Sequence, residues 1–416
     1  MADLQDTGFF RRILNAFRPQ LKLGKGESFA AIDSASSVSG VMVTPEKALK
    51  LSAVWACINL RSGLVSTLPF ALRTADKNIA TEHPLYDIFR YAPNADMNPC
   101  EFWQALMTSI DIYGNAFAEI KRKGERIISL EVLDAARMKI TRLQTGAVVY
   151  EYNERDGTRK LPDRDVFHLK DFTMDGITGL SPLSYGAEIL GLQMEANDTT
   201  AHDYKNRFKG RDVLVYRGTG QGGAPILNEE QRKKTRKWLQ EFSEASAAGK
   251  TPILEGGFDL VNRSPSLSPI DAQLLESRLF GIEEICRCFS VPPQLIGHTS
   301  KSSSWASSYE NTVLSFQAFV MVPKLARIEQ TITRKLLSPA ERKIYTPKFN
   351  TEGLLRASPA NRASFYTSMV QNGIYSRNHV RDLEDLPAVE GGDELTVQLN
   401  MGTLNHAANE TLKRQE

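Results

Sequence analysis

The sequence predicts an α+β protein in which two long helices flank a small insert. Three features of the pattern lead there. Apolar residues recur at three- and four-residue steps from Pro45 towards Gly114, as in helices packed on a core. Between Ala116 and Lys170 the pattern changes to short alternating runs divided by Gly, Asp and Asn, which reads as a small antiparallel sheet. Beyond Ser181, and again beyond Ser266, long helical segments bracket residues 209–265.

Residues 1–44 read as an N-terminal arm and tether. "GFFRRILNAFRPQLKL" is basic and amphipathic through Phe9, Phe10, Ile13, Leu14 and Phe17, and lacks the continuous apolar centre of a secretory peptide. An arm that docks on a partner or a neighbouring subunit is the preferred reading, with a membrane surface as the alternative. Residues 18–44, rich in Gly, Ser and Ala, read as a tether. From Pro45, a helical stripe of Ala48, Leu51, Val54, Trp55, Ile58 and Leu64 precedes the strand "TLPFALRT". "HPLYDIFRYAPN" and "NPCEFWQALMTSIDIYGN" are two further helices, the second capped by Asn98, opened by Pro99 and stopped by Gly114. With the alternating runs, residues 45–180 make one α+β unit.

A helix then starts with Ser181 as cap and Pro182 at its first position. It runs without a breaker to residue 208, about 42 Å at 1.5 Å per residue. Leu183, Ala187, Leu190 and Met194 give its first half an apolar stripe, whereas "EANDTTAHDYKNR" is polar nearly all round. Such a half leaves its own core, and either bridges through solvent or is held by other copies of itself. The insert, residues 209–265, reads as βαβ-like: "DVLVYRG", the helix "NEEQRKKTRKWLQEFSEA" and "TPILEGGFDLV". Residues 266–290 return as a second long helix capped by Ser268. Residues 291–308 hold "VPPQLIG" and a loop with six serines. Residues 309–352 hold a helix with Val313, Leu314, Phe316, Phe319, Val320, Leu325, Ile328, Ile332 and Leu336, followed by the strand "ERKIYTPKFN". Pro323 lies inside that helix, removes a hydrogen bond and clashes with the preceding turn, so a kink is expected. Residues 353–400 are again helical, and 401–416 read as a mobile tail.

A net charge of +2 argues against tight, sequence-independent nucleic-acid binding, which needs many Lys and Arg on phosphates, but allows a local DNA contact. Cys57, Cys100, Cys286 and Cys288 lie in apolar helical contexts without the spacing of metal sites or secreted frameworks. They read as packing residues in a reducing compartment. No apolar run approaches the roughly 18 residues of a membrane span.

No motif assembles an active site. "GHTSKSSS" has Gly297, Lys301 and Ser302 but lacks the second glycine of a phosphate-binding loop and a preceding strand. His298 lies near the serines with no acid partner and no nucleophile elbow. His83, His168, His202, His379 and His406 are scattered singly and read as structural or surface residues. The densest basic run is Arg232, Lys233, Lys234, Arg236 and Lys237. Glu229, Glu230, Glu241 and Glu244 bracket it on the same helix, so an ion-paired solvated face is the leading reading and contact with DNA or an acidic partner the alternative. Glu283 and Glu284 are adjacent and point to different helix faces. Neither a cofactor nor a metal is expected.

In order along the chain, "GITGLSPLSYGAEIL" (Gly176 to Leu190), "GKTPILEGG" (Gly249 to Gly257), "SLSPIDAQLLESRLFGIEEICRCFSVPPQLIG" (Ser266 to Gly297), "PKFNTEGLLRA" (Pro347 to Ala357) and "NGIYSRNHVRDLEDLPAVEGGD" (Asn372 to Asp393) resemble the portal proteins of tailed double-stranded DNA bacteriophages and prophages. The resemblance runs from about Ala53 to Asn400, with His379 where that family more often has Glu.

It implies a non-enzymatic protein whose copies form a ring, typically of twelve, around a DNA channel at one capsid vertex of the virion, assembled in the bacterial cytoplasm. Residues 45–180 with 309–352 would be the wing, 181–208 and 266–290 the stem, 209–265 the clip and 353–400 the crown. The segment 291–308 would be the tunnel loop, with His298, Thr299, Ser300, Lys301, Ser302, Ser303, Ser304 and Trp305 facing DNA and Trp305 anchoring the far end. The implied partners are further copies of the chain, double-stranded DNA, the terminase large subunit, the head–tail adaptor, the major capsid protein and scaffold, with no membrane. The ring would also initiate procapsid assembly and serve packaging and ejection. The alternatives are a DNA-packaging ATPase or nuclease component, and another head–tail connector ring protein.

Overall fold

A computed structural model of the 416-residue chain describes residues 25–30, 35–36, 42–206, 212–216, 229–230, 233–234, 236–237, 258–262, 269–298, 305–351, 359–384 and 386–396. The amphipathic segment 8–17 and the tail 401–416 lie outside the described residues. The first elements are β1 (Ser28–Ala30), β2 (Ala35–Ser36), β3 (Met42–Val43), α1 (Pro45–Ala48), α2 (Ser52–Thr67), β4 (Phe70–Thr74), α3 (Pro84–Arg90) and α4 (Pro99–Tyr113). The central strands are β5 (Asn115–Lys123), β6 (Arg126–Leu133), β7 (Met138–Arg142), β8 (Val148–Glu154), β9 (Gly157–Pro162) and β10 (Val166–Lys170). Then come α5 (Pro182–Tyr185), α6 (Ala187–Asn206), β11 (Asp212–Tyr216), β12 (Phe258–Asn262), α7 (Pro269–Phe289), α8 (Trp305–Phe316), α9 (Val322–Leu336), β13 (Tyr345–Phe349), α10 (Pro359–Gln371) and α11 (Arg377–Leu383).

The helix starts follow the capping signals. Asn98 accepts from the Glu101 amide while Glu101 accepts from the Asn98 amide, both at 2.9 Å, and Pro99 opens α4. Gly114 closes that helix in the left-handed region, φ 74°, and a Cβ there would run into the backbone of Leu180 and Ser181. Trp103 sits at the centre of the helical core, stacked on Phe89 and edge-on to Phe349. Phe349 belongs to β13, which pairs with β4, so one aromatic contact joins the two ends of the α+β unit.

The expected single sheet is two. One has the order β10-β5-β6 and the other β1-β7-β8-β9. Successive strand residues point to opposite faces, and on β5 both faces are covered. Ala116, Ala118 and Ile120 face the helical core, whereas Phe117 joins Met138, Ile140 and Tyr150 of the second sheet. A run buried on both sides cannot show the alternation that marks a sheet with one wet face. Part of the expected tether is also structured, because Ser28–Ala30 pairs with Lys139–Thr141.

Three further expectations are corrected. Trp55, placed on the buried stripe of α2, is 60% exposed, while Arg61 is 2% exposed on the buried side. The helix from Ser181 turns at Gly186, giving α5 and α6, because Gly186 packs against Cys288 of α7. In the insert, β11 and β12 pair antiparallel, so the βαβ-like reading does not hold for these strands. The apolar stripe of Leu183, Ala187, Leu190 and Met194 is buried as the spacing indicated.

Behind β10 lies a polar lock. The His168 Nε2–H donates to Asn115 Oδ1 at 2.9 Å, and the Tyr150 hydroxyl donates to Nδ1 at 3.1 Å. Asn115 in turn accepts from the Gly179 amide at 2.7 Å and donates to the Gly179 carbonyl at 2.9 Å, fixing the approach to α5. Burial, reinforced by Lys170 and Lys335, holds His168 well below the ordinary histidine pKa of 6.5. The native imidazole therefore stays neutral where the unfolded one takes up a proton. Stability from this site is full above about pH 6.5 and is lost as pH falls below it, by up to about 1.4 kcal/mol per unit. Urea unfolding at about pH 7 and about pH 5 should show this loss, and His168→Gln should reduce its slope. Gly114→Ala should cost roughly 2 kcal/mol or more, from left-handed strain plus the backbone collision, read from the urea midpoint.

Candidate functional site: the loop between α7 and α8

The serine loop leaves a well-formed end of α7. On the upstream side α7 ends in a left-handed residue, Ser290, φ 54°, with the Ser290 amide donating to the Arg287 carbonyl (3.0 Å) and the Val291 amide to the Cys286 carbonyl (2.9 Å). This is the paired bonding of a helix that ends on glycine, made here with serine. Pro292 and Pro293 then open a 3₁₀ turn, Pro293–Ile296, closed by Gly297 at φ 81°. The His298 amide donates to the Pro293 carbonyl at 3.0 Å, and His298 Nε2 lies 3.9 Å from Glu283 of α7. His298 therefore sits at the mouth of the loop, packed back on the helix.

Thr299, Ser300, Lys301, Ser302, Ser303 and Ser304 lie outside the described residues, and Trp305 is described as the first residue of α8 in backbone only. The expected break in the following helix takes the form of a π turn, Gln317–Met321, in which the Val322 amide reaches back to the Gln317 carbonyl. Pro323, which brings no amide, then occupies the first turn of α9, where none is needed. The wide turn ahead of the proline relieves the clash. It also rotates the apolar stripe: Phe316, Leu325, Ile328, Ile332 and Leu336 are buried, while Leu314 and Phe319 face outward. In the insert, Lys233, Lys234, Arg236 and Lys237 are exposed and helical, as are Glu229 and Glu230, and Arg232 lies outside the described residues.

What the sequence reasoning missed is a network of charges joining the end of α7, upstream of the loop, to α9. Arg61 of α2 meets Asp111 of α4 at 2.7 Å, both buried, and donates to the Phe289 carbonyl at the end of α7, also at 2.7 Å. Its guanidinium lies over the Phe289 ring and 3.7 Å from Asp171, just past β10. Asp171 takes Lys324 at 2.6 Å and Arg327 at 3.3 Å, both from α9. Burial pushes the Asp111 carboxyl upward in pKa, opposed by Arg61 and Lys324. Burial and Arg61 push the Lys324 ammonium downward, opposed by Asp171 and Asp111. The signal was present as single charges within apolar helical runs, "CINLRSGLV" and "MTSIDIYG", which are almost never buried unpaired.

Of the other candidates, His83 caps α3, accepting from the Leu85 amide at 3.1 Å, and is buried with His168. Cys57 hydrogen-bonds Cys286 across α2 and α7, which keeps the Cys57 thiol protonated. Among the described residues no group of three or more His, Cys, Asp and Glu could hold a metal ion, and no helix is long and apolar enough to cross a membrane.

Comparison with known proteins gives this arrangement its context. The family described as Phage portal protein matches residues 52–385. The portal protein of Enterobacteria phage HK97 is 30% identical over 375 residues, covering 89% of this chain and 86% of that one. The chain belongs to the phage portal protein family. Among solved structures, a portal protein of the HK97 family from Corynebacterium diphtheriae superposes with a TM-score of 0.55 at 16% identity, over 78% of this chain and 99% of that one. The neck of a native gene transfer agent particle, computed with C12 symmetry, gives 0.59 at 22% identity, over 88% and 97%. These two share the portal fold, α+β with long paired helices. Portal proteins are structural components of the virion rather than enzymes.

The buried network yields a prediction. Asp111→Ala leaves Arg61 buried and unpaired and should cost about 3–5 kcal/mol in denaturant unfolding. Arg61→Met combined with Asp111→Leu should recover most of that loss, because a buried ion pair replaced by apolar groups is often neutral.

Proposed function

We propose that copies of the chain form a closed ring, of twelve in the virion, whose central channel conducts double-stranded DNA during packaging and ejection at one capsid vertex. The observation that carries this reading is the family match across 52–385, which spans both long helices and the loop between them. The C12 symmetry belongs to the gene transfer agent neck and supports the subunit number by likeness of fold. In the second half of α6, Glu195, Asp198, Thr199 and Ala201 are exposed, so this polar side has no core within the subunit to pack on, as in a member of a ring wall.

In this reading residues 45–180 and 309–352 are wing, 181–208 and 266–290 stem, 209–265 clip and 353–400 crown. The clip, with its basic run, docks the terminase large subunit during packaging and the head–tail adaptor afterwards. The ring nucleates the procapsid with scaffold and major capsid protein in the host cytoplasm, and the chain itself hydrolyses no nucleotide.

The loop from His298 to Trp305 lines the narrowest part of the channel. DNA slides past it, so strong clamping of phosphates would act as a brake. Small hydroxyls with one Lys301 per subunit offer weak, exchangeable contacts, and a chain of net charge +2 suits a conduit better than a gripper. Mass photometry of the purified protein should show a particle about twelve times the 46.4 kDa subunit mass, and a monomer under every condition would overturn the reading. Deleting 299–304, which spares α8, should leave that particle intact and reduce packaged DNA. Lys301→Ala should change packaging little.

A further inference from the structure

Phe319, on the π turn, is 79% exposed, the most of any large apolar side chain among the described residues. With Phe172, Met174 and Tyr185 it rims a groove of about 410 Å³ whose floor reaches Lys324 and the end of α7 at Phe289. Each such side chain left in water forgoes roughly 1.5–3 kcal/mol of burial, so a rim of four together marks a surface meant to be covered. Arg327, half-exposed at the same groove, gives it a positive edge.

A ring closes only through a heterologous contact, so the surface that covers this groove is a different patch of the same chain. Helix α7 carries one of matching chemistry. Leu279 and Phe280 are 46% and 56% exposed, beside exposed Glu276. Positions 276, 279 and 280 share one helix face by their three- and four-residue spacing. On the side of α7 away from this face, Gly281 packs on Gln193 of α6 and Ile285 is buried, while Arg287 lies over the Phe280 ring within the subunit. The two patches are apolar at their centres and opposite in charge at their edges, Arg327 against Glu276.

We propose that the groove of one copy receives the Glu276–Leu279–Phe280 face of α7 from the next copy, with Phe319 packing on Phe280 and Arg327 pairing with Glu276. The proposal rests on the ring reading and adds to it which two surfaces meet.

The test uses two variants of the full chain, Phe319→Asp and Phe280→Asp, each at an exposed site and checked for unchanged thermal unfolding. Each has one intact half of the interface. Alone, both should be monomers by mass photometry. Mixed in equal amounts, they should give a particle of about twice the subunit mass and no ring, because only one productive contact remains. In a separate pair, Arg327→Glu and Glu276→Arg should each weaken ring formation at least tenfold in the concentration required, and the double variant should restore it. If both Asp variants alone form rings of wild-type size, the assigned surfaces are wrong while the ring reading stands. A mixture that stays monomeric also overturns the pairing. A wild-type chain that never exceeds a monomer removes the ring reading, and this inference with it.

Discussion

Everything near the loop depends on one buried guanidinium. Arg61 touches Asp111 of α4, the Phe289 carbonyl and ring at the end of α7, and the edge of Asp171, which in turn holds Lys324 and Arg327 of α9. Five segments far apart in the chain converge on this set of charges. Ion pairs of this kind add little net stability over apolar packing, because taking the charges out of water offsets most of their attraction. Their value is positional: a misplaced partner leaves a buried charge unpaired, so only one relative arrangement of these helices is tolerated.

That constraint fixes the end of α7, from which the loop departs, relative to α9. α7 ends on Ser290, with its last carbonyls satisfied by Ser290 and Val291, and the Phe289 carbonyl just before them is taken by Arg61. α9 begins after a π turn and at once presents Lys324 to Asp171. The end of α7 and the start of α9 are therefore referenced to the same charges rather than to each other. The π turn accommodates Pro323 and carries Phe319 at the groove rim.

Much of the fold was legible in the sequence where local chemistry decides. The caps at Asn98 and Ser181, the stop at Gly114 and the strands 70–74 and 345–349 were readable because a side chain next to a helix end, or a run of residues, carries the signal itself. The split into two sheets was not, because β5 is covered on both faces by elements that only the fold brings there. Trp55 and Arg61 exchanged roles for the same reason: periodicity identifies a helix, yet its buried face includes whatever the partner helices can pair, and Asp111 lies fifty positions further along. The charges that fix the end of α7 were not legible, since Arg61, Asp111 and Asp171 are distant in sequence from it.

Hydrogen exchange on Arg61→Gln, compared with the unaltered chain, tests the claim that one charged centre holds the end of α7 and the start of α9. The account predicts faster exchange together at the amides of Val291 and His298 on one side and of Val322 on the other, while amides paired between β5 and β10 keep their protection. Loss confined to α2 and α4, with the end of α7 and the start of α9 as protected as before, would contradict it.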